Sequence, residues 1–218
     1  MISICMAYYM NQVLLDITLD SLHRHHGSDD LEVVVCDDGS PVPVVAPRCH
    51  VVSLPVKHHA LNPCVPINRA VADARGYVIV LTSPGVEHRS PVLDEMRRNL
   101  GPDDYVIAAC QDTSGAWLCA RHVRGGSNGR GAIPEGAGFH FCAMLHRSLF
   151  DLAGGFDEEY RHGQAFDDND WLFRLKQAGA QFWLRDDLVV YHHRGTRYEW
   201  PDGGHERNKQ LFEWKWGG

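Results

Sequence analysis

Three carboxylates, Asp167, Asp168 and Asp170, stand within four positions of "FDDNDWLFRLKQAG", directly ahead of an apolar run. Acids at a helix start meet the positive end of its dipole, each contributing about 0.3–1 kcal/mol. Three exceed what that role requires. Crowded like charges raise the proton affinity of one member, and a carboxylate so tuned can take the proton of an attacking hydroxyl. A second acidic pair, Asp37–Asp38 in "CDDGS", suits acceptance of hydrogen bonds from ring N–H groups and hydroxyls, although Asp and Gly are equally at home in a plain turn. Of the 14 histidines, "HRHH" at 23–26 falls at a helix end, where cations are favourable anyway, and its spacing matches no zinc motif. The pair His192–His193 follows a strand and is the better candidate for a ligand role.

The elements that position these groups can be read from the pattern. "ISICMAY" is a strand, and 11–25 a helix with Leu14, Leu15, Ile17, Leu19 and Leu22 on its apolar face. "LEVVVC" is a buried strand, "HVVSL" a short one, 62–74 a helix stopped by Gly76, "YVIVLT" a fourth strand, and 91–100 a Pro-initiated helix. This alternation predicts an α/β fold with a mainly parallel sheet. Ligands of such sheets sit beyond the carboxyl ends of the strands, so "AYYMN", "CDDGS" and "TSPGVEH" point at one crevice. In the second half a glycine-rich segment, Arg124–Gly138, reads as a loop that either closes over a ligand or is a surface excursion. The strand "FHFCAML", a helix over 148–153, the acidic helix and the strands "AQFWLR" and "LVVYHH" follow. The tail from Tyr198, with Trp200, Trp214 and Trp216 among charges, reads as a docked lid or a frayed end.

With 218 residues, 44% hydrophobic and 22% charged, the chain is expected to form one domain over 1–197 and a C-terminal tail or lid over 198–218. Its formal charge of -7 argues against extended contact with a phosphate backbone. Seven cysteines, odd in number and without a CxxC pair, suggest buried thiols in a reducing compartment. "MISICMAYY" lacks the flank of a signal peptide, and no apolar stretch approaches the roughly 20 residues of a membrane span. The expectation is a soluble, cytoplasmic protein.

Taken in order, these pieces resemble the inverting family-2 glycosyltransferases of the GT-A fold. "VVVCDDGSP" resembles their nucleotide-binding turn, and "INRAVADARGYVIVLT" the helix and strand before their metal motif. "FHFCAMLHRSLFDLAGGFDEEYRHGQAFDDNDWLFRLKQAG" is similar to the acceptor-side segment, and "VVYHHRG" to a histidine-bearing strand end. The resemblance covers roughly 2–195. It implies the GT-A (nucleotide-diphospho-sugar transferase) fold, a Rossmann-like mixed sheet flanked by helices. It also implies transfer of a sugar from a nucleotide-diphosphate donor, UDP-linked by preference, to an acceptor hydroxyl. Asp168 takes the role of base and Asp167 that of acceptor support. Ala7, Tyr8, Asp37, Asp38, Asn68, Ser83 and Gly85 fall on the donor side. The acceptor is by default a saccharide. A hydroxylated nucleobase is the alternative, with Trp117 or Tyr160 to stack on it.

One motif departs from the family. Its fourth strand ends in Asp-x-Asp, which holds a divalent ion, Mn or Mg, on the donor diphosphate; here Ser83-Pro84-Gly85 stands in that place. Hard cations want carboxylate oxygens. Either Glu87 and His88 bind the metal instead, or Arg69, Arg75 or Arg194 neutralises the leaving phosphate, or catalysis is lost. The retained acids favour a rearranged metal site with His192 or His193 as a remaining ligand. Two rival readings stay open: a non-catalytic nucleotide- or sugar-binding relic, and a sugar nucleotidyltransferase, which wants a basic glycine-rich loop where "AYYMNQ" stands.

Overall fold

The computed structural model describes residues 1–27, 30–55, 62–119, 129–130, 141–194 and 203–217, with the backbone alone given at 119, 129 and 130. Along the chain come β1 (Ile2–Tyr8), α1 (Gln12–His25), β2 (Leu31–Asp37), β3 (His50–Ser53), α2 (Cys64–Asp73), β4 (Val78–Thr82), β5 (Val86–His88) and α3 (Val92–Arg97). Then follow β6 (Asp104–Asp112), β7 (Trp117–Cys119), β8 (Gly129–Arg130), β9 (Cys142–His146), α4 (Arg147–Ala153), a 3-10 turn at Glu158–His162, α5 (Asp167–Gln177), β10 (Gln181–His192) and α6 (Gly204–Trp216).

The described strands form one sheet in the order β3-β2-β1-β4-β9-β6-β10-β5, with β7 beside β6 and β8 beside β10. β1 is parallel to both β2 and β4. β9 enters antiparallel between β4 and β6, and β5 runs antiparallel to β10, so the sheet is mixed rather than mainly parallel. β1 and β4 are buried along nearly their whole length, as their unbroken apolar runs require when both faces are covered.

β6 is a long buried strand that the pattern after the 91–100 helix did not announce. The runs "AQFWLR" and "LVVYHH" are a single strand, β10, whose register against β6 shifts between Arg185 and Val189. The charged residues at that irregularity are accommodated in part by an ion pair, Arg185 donating to both carboxylate oxygens of Asp187.

Packing fixes α5 firmly. Trp171 is fully buried, stacks on Phe156 at 4.8 Å and donates its Nε1–H to the Tyr105 hydroxyl at 3.3 Å. A buried Trp removes about 150–250 Å² from water, and with Leu175 it sets which side of α5 faces inward. α6 lies against the 3-10 turn and α5, its Asn208 fully buried. Cys5, Cys36, Cys49 and Cys64 are free thiols, and burial pushes the Cys36 thiol up to about 12. No described helix is long and apolar enough to cross a membrane.

Candidate functional site

Parallel pairing aligns the carboxyl ends of the first strands. Tyr8 of β1 stands opposite Asp37 of β2, and Met6 opposite Thr82 of β4. Beyond these ends opens a cavity of about 220 Å³ lined by Ala7, Pro63, Ile67, Thr82, Ser83, Phe141 and Asp168. Three residues expected at the site, Ala7, Ser83 and Asp168, thus meet although they come from β1, the turn after β4 and α5. A larger cavity, about 500 Å³, lies between α4, α5 and α6, but its Asp157, Asp170, Arg174 and Lys215 are engaged with one another.

The acidic cluster divides its labour. Burial pushes the Asp168 carboxyl up to about 6, while a hydrogen bond from Asp167 acts in the opposite direction. Asp167 is buried and accepts from Asn62 Nδ2 at 3.0 Å, and the same amide accepts the Cys64 N–H through its oxygen. Asp170 turns away, fully buried, and accepts from the Tyr160 hydroxyl, Arg174 Nε at 2.8 Å and Trp216 Nε1 at 2.9 Å. An acid near 6 beside a second, anchored acid can accept a proton from a hydroxyl at neutral pH.

On the other flank, Asp37 and Asp38 are 4% and 5% exposed. Asp37 Oδ1 accepts the Ser40 N–H at 3.0 Å, its carbonyl takes the Leu54 N–H, and Asp38 donates its N–H to the Tyr8 carbonyl. The turn is thereby held at the strand ends, with Tyr8 buried beside it; none of the three lines the cavity itself.

Several expectations are corrected. Asn68 does not reach the cavity: its amide donates to the Phe156 carbonyl and the Glu158 carboxylate and accepts the Phe156 N–H. Its neighbour Ile67 lines the cavity instead. Gly85 gives its N–H to the Leu14 carbonyl and to Thr18 Oγ1, both at 2.9 Å, so it secures α1 rather than a diphosphate. His88 is 1% exposed, pairs through Nδ1 with His26 Nε2 at 3.2 Å, and burial pushes it down to about 3. Glu87 is taken up by Arg89 and by His193 Nε2 at 2.9 Å. Arg75 pairs with Glu32, which also meets Ser3 near the opposite, amino-terminal ends of β1 and β2. Tyr160 is fully buried with its hydroxyl on Asp170, which rules out a stacking platform.

Glu87 and His88 therefore fail as substitutes for Asp-x-Asp, and no group of three or more metal-binding side chains occurs among the described residues. Ser83 and Gly85 bring no carboxylate. The donor set present at this strand end does not fit a divalent cation. His192 packs on Phe141 at 5.0 Å between ring centroids, so it adjoins the cavity, and burial lowers its proton affinity. Arg194 pairs with Asp112 and Arg69 with Asp73. Trp117 packs against the core. The loop 124–138 lies outside the described residues except at 129–130, where β8 pairs with Trp183 and Leu184; Trp200 lies outside as well.

Asn62 and Phe141 were not expected at the site. An asparagine two residues ahead of a helix is a familiar backbone-capping signal, but its reach to Asp167 spans 105 positions and has no sequence trace. Phe141 arrives because Thr82 Oγ1 donates to its carbonyl at 2.7 Å.

No family model and no curated protein matches the chain. Among solved structures it is similar to S. aureus TarS. Against residues 1–349 of TarS the TM-score is 0.68 at 14% identity, covering 88% of this chain and 60% of that one. Against the same portion in complex with UDP it is 0.69 at 14%, covering 89% and 60%. Against a longer TarS structure it is 0.73 at 15%, covering 98% and 39%. The chain spans 60% or less of the length of these structures. The likeness establishes the GT-A fold, with its curled mixed sheet flanked by helices.

Proposed function

We propose that the protein moves a sugar from a nucleotide-diphosphate donor, UDP-linked, to an acceptor hydroxyl with inversion at the anomeric carbon. The observation that carries this reading is the cavity in which Asp168, with its raised proton affinity, faces Ala7 and Ser83 at the ends of β1 and β4. A structural neighbour of the same fold was solved with UDP, which supports the choice of donor.

In this mechanism Asp37 and Asp38 accept hydrogen bonds from the base and ribose, and Ser83 lies along the diphosphate. The acceptor oxygen attacks the anomeric carbon from the face opposite the leaving phosphate. As the new C–O bond forms and the bond to phosphate breaks, the hydroxyl proton passes to Asp168 and the electron pair leaves with UDP. Asp167, anchored by Asn62, orients the acceptor. No step is routed through a metal; Arg194, which pairs with Asp112, would have to turn from it to meet the leaving charge. A saccharide is the default acceptor; of the two residues that could stack on a base, Tyr160 is buried and Trp117 is partly buried against the core.

A panel of nucleotide sugars, with released nucleoside diphosphate detected by mass spectrometry, tests the reading. UDP is expected to raise the melting temperature, and Asp168→Asn to keep that shift while losing about 10²–10⁴-fold in rate. Chelator is expected to leave the rate unchanged. An Asp168→Asn variant as fast as the parent overturns the assignment of the base, and loss of turnover on chelation overturns the metal-free step.

A further inference from the structure

The backbone that delivers Asp167 and Asp168 is strained. Ala165 and Phe166, the two residues before α5, have φ of 58 and 65. This left-handed region is disfavoured for residues bearing a Cβ, and two in succession persist only where the surroundings hold them. The holding comes from α6. Asn208, fully buried, donates both amide hydrogens, to the Ala165 carbonyl and to the Tyr160 carbonyl, each at 2.9 Å. Arg207 Nη1 donates to its oxygen at 2.9 Å and so sets the amide's orientation. The Gly204 carbonyl accepts the Gln164 N–H, and the rings of His205 and Phe212 pack on Phe166 at 5.1 and 5.7 Å. The approach is so close that a Cβ at Gly163 would stand 2.4 Å from Asn208 Oδ1 and from the Gly204 carbonyl. At the other end of α6, Trp216 donates to Asp170, and Lys215 bonds Asp157 and lies 3.4 Å from Asp170. The two grips fall on either side of the Asp167–Asp168 pair.

We infer that α6 is a positioning clamp for the acidic pair, with Asn208 and Trp216 as positioning residues that act through the strained 165–166 turn and through Asp170. Neither residue lines the cavity that holds Asp168. Their effect is to fix where α5 begins, and hence whether the Asp168 carboxyl points past Phe141 and Ser83 or swings out of the crevice. The kinetic half of this inference rests on the transfer reading above; the structural half does not.

The test compares the parent with Asn208→Ala and Trp216→Phe, the latter removing the indole N–H while keeping a smaller aromatic ring against Phe173. Lys209→Ala, an exposed neighbour on α6, serves as control. Two quantities are read: the steady-state constants for UDP-sugar turnover, and the titration of the Asp168 side-chain carboxyl followed by carbon NMR. Loosening the clamp is expected to lower kcat about 10-fold or more with the donor KM near the parent's, and to move the Asp168 titration from about 6 towards the ordinary aspartate value of about 4. Adding Ala165→Gly to Asn208→Ala is expected to recover much of both losses, since glycine takes a positive φ without penalty. Should Asn208→Ala fail to fold, Trp216→Phe decides alone. Parent-like kcat and parent-like titration in a folded variant overturn the clamp. If the parent turns over no donor, the transfer reading fails, and the carboxyl titration by itself upholds or overturns the clamp.

Discussion

The Asn62 side chain donates to Asp167 Oδ1 at 3.0 Å while its own oxygen accepts the Cys64 N–H, so one buried amide ties the start of α2 to the start of α5. The link crosses the crevice mouth, because Pro63 and Asp168, the next residue on each side, both line the cavity. It anchors one oxygen of Asp167 and leaves Asp168 as the member lining the cavity.

Asn62→Ala leaves a buried carboxylate oxygen short of a donor, which costs about 1–3 kcal/mol. The expected result is a melting temperature lower by several degrees and kcat reduced about 10-fold, with UDP still shifting the melting curve. Scanning calorimetry with and without UDP, beside initial rates, checks all three.

The pH dependence follows from Asp168. A base works only when ionised, so with its carboxyl at about 6 the rate should climb as pH rises through about 6 and level off above 7. Its folded proton affinity exceeds the unfolded one. It therefore adds stability at pH values below the ordinary aspartate range, and that contribution is lost as pH rises through about 6. A kcat/KM profile with no inflection between pH 5 and 7 would count against Asp168 as base.

His26 and His88 act with the opposite sign. Burial holds them down to about 4 and about 3, below the ordinary histidine value of about 6.5. The unfolded chain takes up these protons first, so their contribution is complete above about 6.5 and is lost as pH falls towards 4. Asp94, the acid whose charge raises His26, softens the effect, and His25 sharpens it for both. Melting temperatures from pH 7.5 to 5 are expected to fall for the parent, and to fall much less when both histidines are replaced by leucine.

Gly85 has φ of +96, and a Cβ there would lie 2.6 Å from the His193 carbonyl. Gly85→Ala is expected to cost more than about 1 kcal/mol, read as a melting temperature lower by a few degrees. Because the Gly85 N–H serves α1 and not a phosphate, the shift produced by UDP should survive in the variant. Loss of that shift in a folded protein would return Gly85 to the donor site.

Much of the framework was legible for a physical reason. Unbroken β-branched runs such as "LEVVVC" and "YVIVLT" have few alternatives to burial between helices, and 3.6-residue periodicity identified α1 and α2 to within two residues at each end. β6 escaped because a turn with Gly101, Pro102 and two aspartates blurs its start, and Asp104 is buried there by the Gly101 N–H it accepts. β10 looked like two strands because Arg185, Asp186 and Asp187 interrupt its apolar run, and only pairing with β6 on both sides of the irregularity makes it one.

The sequence by itself determined that acids follow one strand and precede one helix, that no Asp-x-Asp stands at the end of the fourth strand, and that the strands alternate with helices. These are properties of neighbours along the chain. Which carboxylate faces the crevice was decided by tertiary structure alone. Asp167, Asp168 and Asp170 are alike in type and almost in position, yet one is bound by Asn62, one opens to the cavity and one is locked by Tyr160, Arg174 and Trp216. Proton affinity is set by burial and by partners brought in from as far as 105 positions away, and no local pattern carries that information.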